Sequence, residues 1–147
     1  MSVVPSQILY LEHGPSRLYA EAIQIVSKRR VCWARPTLLI HNLPESGAPG
    51  ARQAVIADAA QSLEHSSLIL YDLEGCPDLI WPIEPFHLAY DLDFFSLLIQ
   101  LKITPNESRV QTNRQQANSS HLNEFIQSFW RTHPDIFHFS PANELSS

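Results

Sequence analysis

The chain has 147 residues, a net charge of −5 with histidine neutral, and a hydrophobic content of 44%. That length suits one domain able to bury its own core without disulfide or metal staples, and the apolar content argues against wholesale disorder. The mild acidity argues against nucleic-acid binding, which needs a basic footprint. Four glycines set against eleven prolines imply stiff connections and none of the glycine-rich loops that cradle phosphates.

In chain order, the opening stretch MSVVPSQILYLEHG has no basic region followed by a long apolar run, so a secretory leader is not expected. Gly14-Pro15 is expected to open a first helix over residues 15–29, since proline suits the first helical position. Leu18, Ala22 and Ile25, with Tyr19, Ile23 and Val26, recur at helical spacing against a polar face of Arg17, Glu21, Gln24 and Lys28. Lys28-Arg29-Arg30 would then sit at the negative end of the helix dipole.

Residues 31–41 read as a strand rich in β-favouring residues, with Pro36 marking an edge or a bulge because it lacks a ladder donor. Breakers make 42–50 a loop, and Val55, Ile56, Ala59, Ala60 and Leu63 fit a short helix. Residues 67–73 and 79–81 read as two short strands joined by a glycine-containing turn, hence a hairpin. A third helix is expected over 85–102, started by Pro85 and ended by Pro105. Phe86, Tyr90, Phe94, Leu97, Leu98 and Leu101 would form its apolar face, with Phe95 and Ile99 widening that face into deep burial. Residues 104–119 are polar and read as a flexible linker. Ser120 is expected to cap a last helix over 120–132, with Leu122, Phe125, Ile126, Phe129 and Trp130 on one face and Pro134 as its stop. Phe137, His138 and Phe139 could dock beyond it, and 140–147 should fray.

The spacing of reactive residues offers little chemistry. The seven histidines, His13, His41, His65, His87, His121, His133 and His138, form neither HExxH nor a close helical pair. Cys32 and Cys76 lack metal-ligand spacing and read as buried, reduced thiols of a cytosolic protein. Asp72, Glu74 and Asp78 surround Gly75 without the ligand order of a calcium loop, which reads as a solvated turn. Glu84, Asp91 and Asp93 give no acid–base pair, because Asp91 and Asp93 point about 200° apart on a helix. No serine sits in a GxSxG elbow. No catalytic residue, cofactor site or metal site is therefore assigned. The most apolar segment, residues 94–99, is far short of the roughly 20 residues that span a bilayer, so a cytoplasmic location is expected.

The aromatics stand out. Trp33, Tyr71, Trp81, Phe86, Tyr90, Phe129 and Trp130 are the candidate partner-binding residues, since tryptophan and tyrosine anchor many interfaces. The competing reading is that they fill the core. The last helix could dock on its own sheet or on another chain, and the strand edge at Pro36 could pair with an extended peptide.

Two segments carry a family resemblance. Residues 17–39, RLYAEAIQIVSKRRVCWARPTLL, and residues 70–97, LYDLEGCPDLIWPIEPFHLAYDLDFFSL, resemble small cyanobacterial proteins, among them the CcmS family of carboxysome assembly chaperones. The resemblance covers about a third of the chain and assigns no binding residue. It implies a small, non-enzymatic α/β factor that binds the C-terminal extension of a carboxysome shell protein, assists shell assembly and associates with carboxysomes.

Together these readings predict an α+β fold or α/β sandwich: a small, mostly antiparallel sheet of three or more strands under three to four helices. One domain over 1–139 is expected, with 44–65 and 104–119 flexible. The expected function is a protein-binding assembly factor. The alternatives are a small-molecule-binding or hydrolytic site assembled across the fold, and a structural subunit that dimerises through its last helix.

Overall fold

A computed structural model describes residues 6–45, 50–89, 92–103 and 111–137, with the side chains of 65, 111–117 and 136–137 outside that description. Six strands form one antiparallel sheet: β1 (Ile8–His13), β2 (Ser16–Val26), β3 (Val31–His41), β4 (Ile69–Asp72), β5 (Leu79–Pro82) and β6 (His87–Leu88). The order is β4-β3-β2-β1-β6, and β5 also pairs with β3. Three α-helices accompany it: α1 (Ala51–Gln61), α2 (Asp93–Ile103) and α3 (Gln111–Thr132). The α+β expectation holds.

The segment expected to be the first helix is instead β2, the strand between β1 and β3. Its apolar residues sit at adjacent positions as well as at helical spacing, so both periods fit. The neighbours decide. Leu9, Leu11, Ile8 and Tyr10 on β1 alternate at period two and pair with Ala20, Leu18, Glu21 and Tyr19. Gly14-Pro15 is the hairpin between β1 and β2, with His13 opposite Ser16 and Gly14 at φ +56°, which a tight hairpin accepts most readily from glycine. Lys28, Arg29 and Arg30 make the tight turn between β2 and β3, where Arg30 is left-handed at φ +58°. They cap no helix dipole.

Strand β3 spans the expected residues but is internal, not an edge. Pro36 lies at a bulge: Tyr19 faces Leu38 while Ala20 faces Pro36, leaving Thr37 over. Strands β4 and β5 do not form a hairpin. They pair in tandem with β3, β4 along residues 38–41 and β5 along 31–34, so Pro36 falls between them, where no ladder donor is required.

The helix expected over 85–102 begins at Asp93. Phe86 closes a turn back to the Ile83 carbonyl, and His87 and Leu88 pair with β1. The last helix starts at Gln111, so the expected linker is helical from there and Ser120 lies inside the helix. Tyr90, Asp91, residues 46–49, 104–110 and the tail from 138 lie outside the described residues.

The core has two parts, one on each face of the sheet. On one face Leu9, Leu11, Leu18, Ala20, Ala22, Cys32, Ala34, Leu39 and Trp81 pack under Leu122, Phe125 and Phe129 of α3. On the other, Tyr19, Leu38 and Ile40 pack under Ile56 and Ala59 of α1 and Phe94 and Leu97 of α2. Both cysteines are buried and free. Burial pushes the Cys32 thiol up to about 11, which leaves it protonated and inert at neutral pH.

Candidate functional site

The seven aromatic candidates separate into three groups. Trp81, Phe86 and Phe129 are buried core residues; Trp81 meets Phe129 edge-on at 5.8 Å. Tyr71 is partly buried against His121. Trp33 and Trp130 are exposed, at 37% and 55%. Trp130 sits on α3, against one face of the sheet, while the Trp33 register places it on the opposite face, so the candidates do not line one groove. Tyr90 lies outside the described residues.

Trp33 occupies the half of the α1/α2 face that those helices leave open. It faces Gln24 across β2 and Ile80 across β5, and Ile80 is 66% exposed. The indole Nε1 donates to Asp78 at 2.8 Å, and Arg35 donates to the same carboxylate at 3.2 Å. Arg35 first, then Trp33, holds the Asp78 carboxyl below its ordinary value. These contacts tie the indole to the turn after β4. Strand β5 pairs with β3 on one side, and among the described residues its other edge is open.

A second apolar surface lies on α2. Phe94 and Leu97 face the core, whereas Leu92, Phe95, Ile99 and Ile103 are exposed at 73%, 47%, 58% and 70%. Phe95 and Ile99 thus do not deepen the buried face; they belong to an outward stripe. The flanks are polar and engaged. Gln100 donates to the carbonyls of Ala59 and Ala60 at 3.1 and 2.8 Å and accepts from Leu63 N–H at 2.8 Å, covering the end of α1. Asp93 accepts from Gln53 at 3.2 Å. Lys102 reaches Asp72 at 2.9 Å and also binds Glu74. The acidic turn therefore holds a lysine, and its third acid, Asp78, holds Trp33 and Arg35.

Four of the histidines, scattered in sequence, gather between the sheet and α3. His41 Nδ1 lies 2.6 Å from Ser16 Oγ. His41 is edge-on to Tyr71 at 5.3 Å and to His121 at 6.0 Å, and Tyr71 stacks on His121 at 4.0 Å. Further along, His13 meets Phe125, Phe129 and His133 at 6.1–6.2 Å, and His133 stacks on Phe129 at 4.4 Å. Burial, then the neighbouring His121, lowers the proton affinity of His41, against the pull of Glu124 and the Ile40 backbone. Burial, then His133, does the same for His13. Sequence spacing missed this seam because its members come from β1, β3, the middle of α3 and the residue that follows it. No group of three or more metal-ligating side chains occurs among the described residues.

On the opposite face, Arg17 is buried beneath the Tyr10 ring, 4.0 Å from its centroid. It binds Glu12 at 2.6 and 2.8 Å and donates to the Tyr19 hydroxyl at 3.1 Å. Burial opposes its charge, but Tyr19 and Glu12 outweigh that and raise its proton affinity. Arg52 ties this region to the hairpin through the carbonyls of Gly14 and Pro44, both at 2.8 Å. An open cleft of about 420 Å3 lies here, lined by Glu12, His13, Gly14, Pro15, Glu45 and Arg52. Within its lining, Glu12 and Arg52 pair at 3.5 Å.

Among the described residues, no helix is long and apolar enough to cross a membrane. No family model, no curated protein and no solved structure matches this chain.

Proposed function

We propose that this protein is a non-enzymatic protein-binding factor, an assembly chaperone that takes an extended apolar segment of a partner against the open half of its sheet. The observation that carries this reading is the Trp33–Ile80 pair, two exposed apolar side chains on neighbouring strands beside the edge of β5 that no other described strand pairs. An extended segment suits the place, since an open strand edge offers main-chain donors and acceptors while the side chains beside it select residues. Pro82 and the shortness of β5 keep that edge from pairing promiscuously. The Asp78 and Arg35 contacts hold the indole in place, so little side-chain freedom is lost on binding.

The resemblance in residues 17–39 and 70–97 makes the C-terminal extension of a carboxysome shell protein the first segment to test. Calorimetric titration with a synthetic tail should give saturable binding at micromolar affinity or better, about −8 kcal/mol. Trp33→Ala and Ile80→Asp should each weaken it at least tenfold. Absence of heat would remove the carboxysome assignment, and binding indifferent to both substitutions would remove the surface.

A hydrolytic reading has one observation in its favour, the 2.6 Å contact between Ser16 and His41, whose proton affinity burial and then His121 lower. Ser16 is itself buried, so a substrate could not reach its hydroxyl without α3 moving. Labelling of Ser16 by a fluorophosphonate probe would favour that reading over peptide binding.

A further inference from the structure

We propose that the outward stripe of α2 is a homodimer interface, in which two copies of this chain pack their α2 helices antiparallel about a two-fold axis. This goes beyond the peptide-binding reading and uses a different surface. A helix that is apolar on both sides is one that expects burial on both sides. Phe94 and Leu97 are covered by the sheet, while Leu92, Phe95, Ile99 and Ile103 are not.

The spacing of the stripe identifies its occupant. A two-fold interface must be complementary to itself. An axis passing at residue 97 sets Phe95 of one copy against Ile99 of the other and brings Leu92 within one position of facing Ile103. Large apolar groups then face large apolar groups along the whole helix. The two charged residues of α2, Asp93 and Lys102, lie on its flanks and are engaged within their own chain, so no like charges meet across the axis. The stripe is also a convex ridge. A ridge packs well into the groove of another helix but encloses no extended peptide.

The area agrees with a dimer of modest strength. With about 190 Å2 for a fully exposed large apolar side chain, the four exposures correspond to roughly 450 Å2 per copy. Two copies with their flanking residues approach the roughly 1,000 Å2 that a specific interface requires.

Sedimentation equilibrium on the full chain, from about 1 to 300 μM, tests this. The wild type should show a monomer–dimer equilibrium with a micromolar dissociation constant. Ile99→Glu and Ile103→Glu should each weaken it at least 100-fold, with circular dichroism and urea unfolding showing that both variants remain folded. A wild type that stays monomeric at 300 μM overturns the proposal. So does a dimer that survives both substitutions, and one lost on Trp130→Ala but not on Ile99→Glu would place the contact on α3. Peptide titration of Ile99→Glu separates the two readings, because loss of the dimer should leave binding at Trp33 intact.

Discussion

The two faces of the sheet are covered in different ways. On the α3 face a single amphipathic helix lies with Leu122, Phe125 and Phe129 inward and charged or polar residues such as Asn123, Glu124 and Gln127 outward. On the other face two shorter helices cover only the half around Tyr19, Leu38 and Ile40, leave Trp33 and Ile80 open, and carry apolar residues outward along α2. The first arrangement is what a helix does when it has one interface. The second leaves large apolar side chains exposed at Trp33 and Ile80 and along α2. One face is closed by its helix, and the other keeps Trp33, Ile80 and the outward side of α2 exposed, which is the surface the two proposals use.

This contrast can be broken most severely at Phe129, which is buried against Trp81 and His133. Phe129→Ala should cost about 4 kcal/mol, measured by urea unfolding, and should loosen α3 from the sheet. A cost below about 1 kcal/mol, the range of surface substitutions, would mean that α3 is not anchored there. On the opposite face, Arg17→Ala should cost about 3 kcal/mol, because Glu12 and the Tyr19 hydroxyl lose their donor while the Tyr10 ring loses its cation. Arg17→Lys should recover only part of that, since an ammonium cannot reproduce the forked contact.

A substitution on the outward side of α2 sharpens the comparison. Ile99→Glu should change monomer stability by no more than about 0.5 kcal/mol, whereas the same substitution at Phe94 should prevent stable folding. Equal losses at the two positions would show that the outward stripe is covered within the monomer.

The smallest effect concerns pH. His13 and His41 bind protons less readily when folded than the ordinary value of 6.5. Below that pH the unfolded chain binds more protons than the folded one. Stability is therefore full above about pH 6.5 and falls as the solution is acidified through that value. Urea midpoints at pH 7.5 and 5.5 should differ in that direction, and the double substitution His13→Asn with His41→Asn should reduce the difference. A midpoint that rises on acidification would reverse the sign and the role assigned to burial.

Several elements were legible without coordinates, and the reasons are local. Strand β3 was readable over its full length because β-branched and aromatic residues run between a tight turn and a breaker-rich loop. The inward face of α3 followed from helical periodicity, and so did α1, although residues 44–65 were also expected to be flexible and 51–61 are helical. Strand β2 was not legible. A strand buried on both faces carries apolar residues at adjacent positions, and such a run satisfies period two and period 3.6 together. The first part of α3 was misread because QTNRQQANSS offers no apolar face. Of the candidate site, Trp33 was identified from composition, but Ile80 and the stripe on α2 were not. Exposure depends on what covers a residue, and periodicity cannot distinguish a wide buried face from two opposite faces.

The sequence by itself determined the class of fold, the burial of both thiols, the strand over residues 31–41 and the amphipathic face of α3. Each of these follows from residue chemistry within a few positions along the chain. Only the tertiary structure decided that β4 and β5 share β3 as a partner, that four distant histidines form a seam beneath α3, and that half of one sheet face and one side of α2 remain uncovered. Those features depend on contacts between residues far apart in sequence, where the helices available to cover the sheet are shorter than the surface they meet.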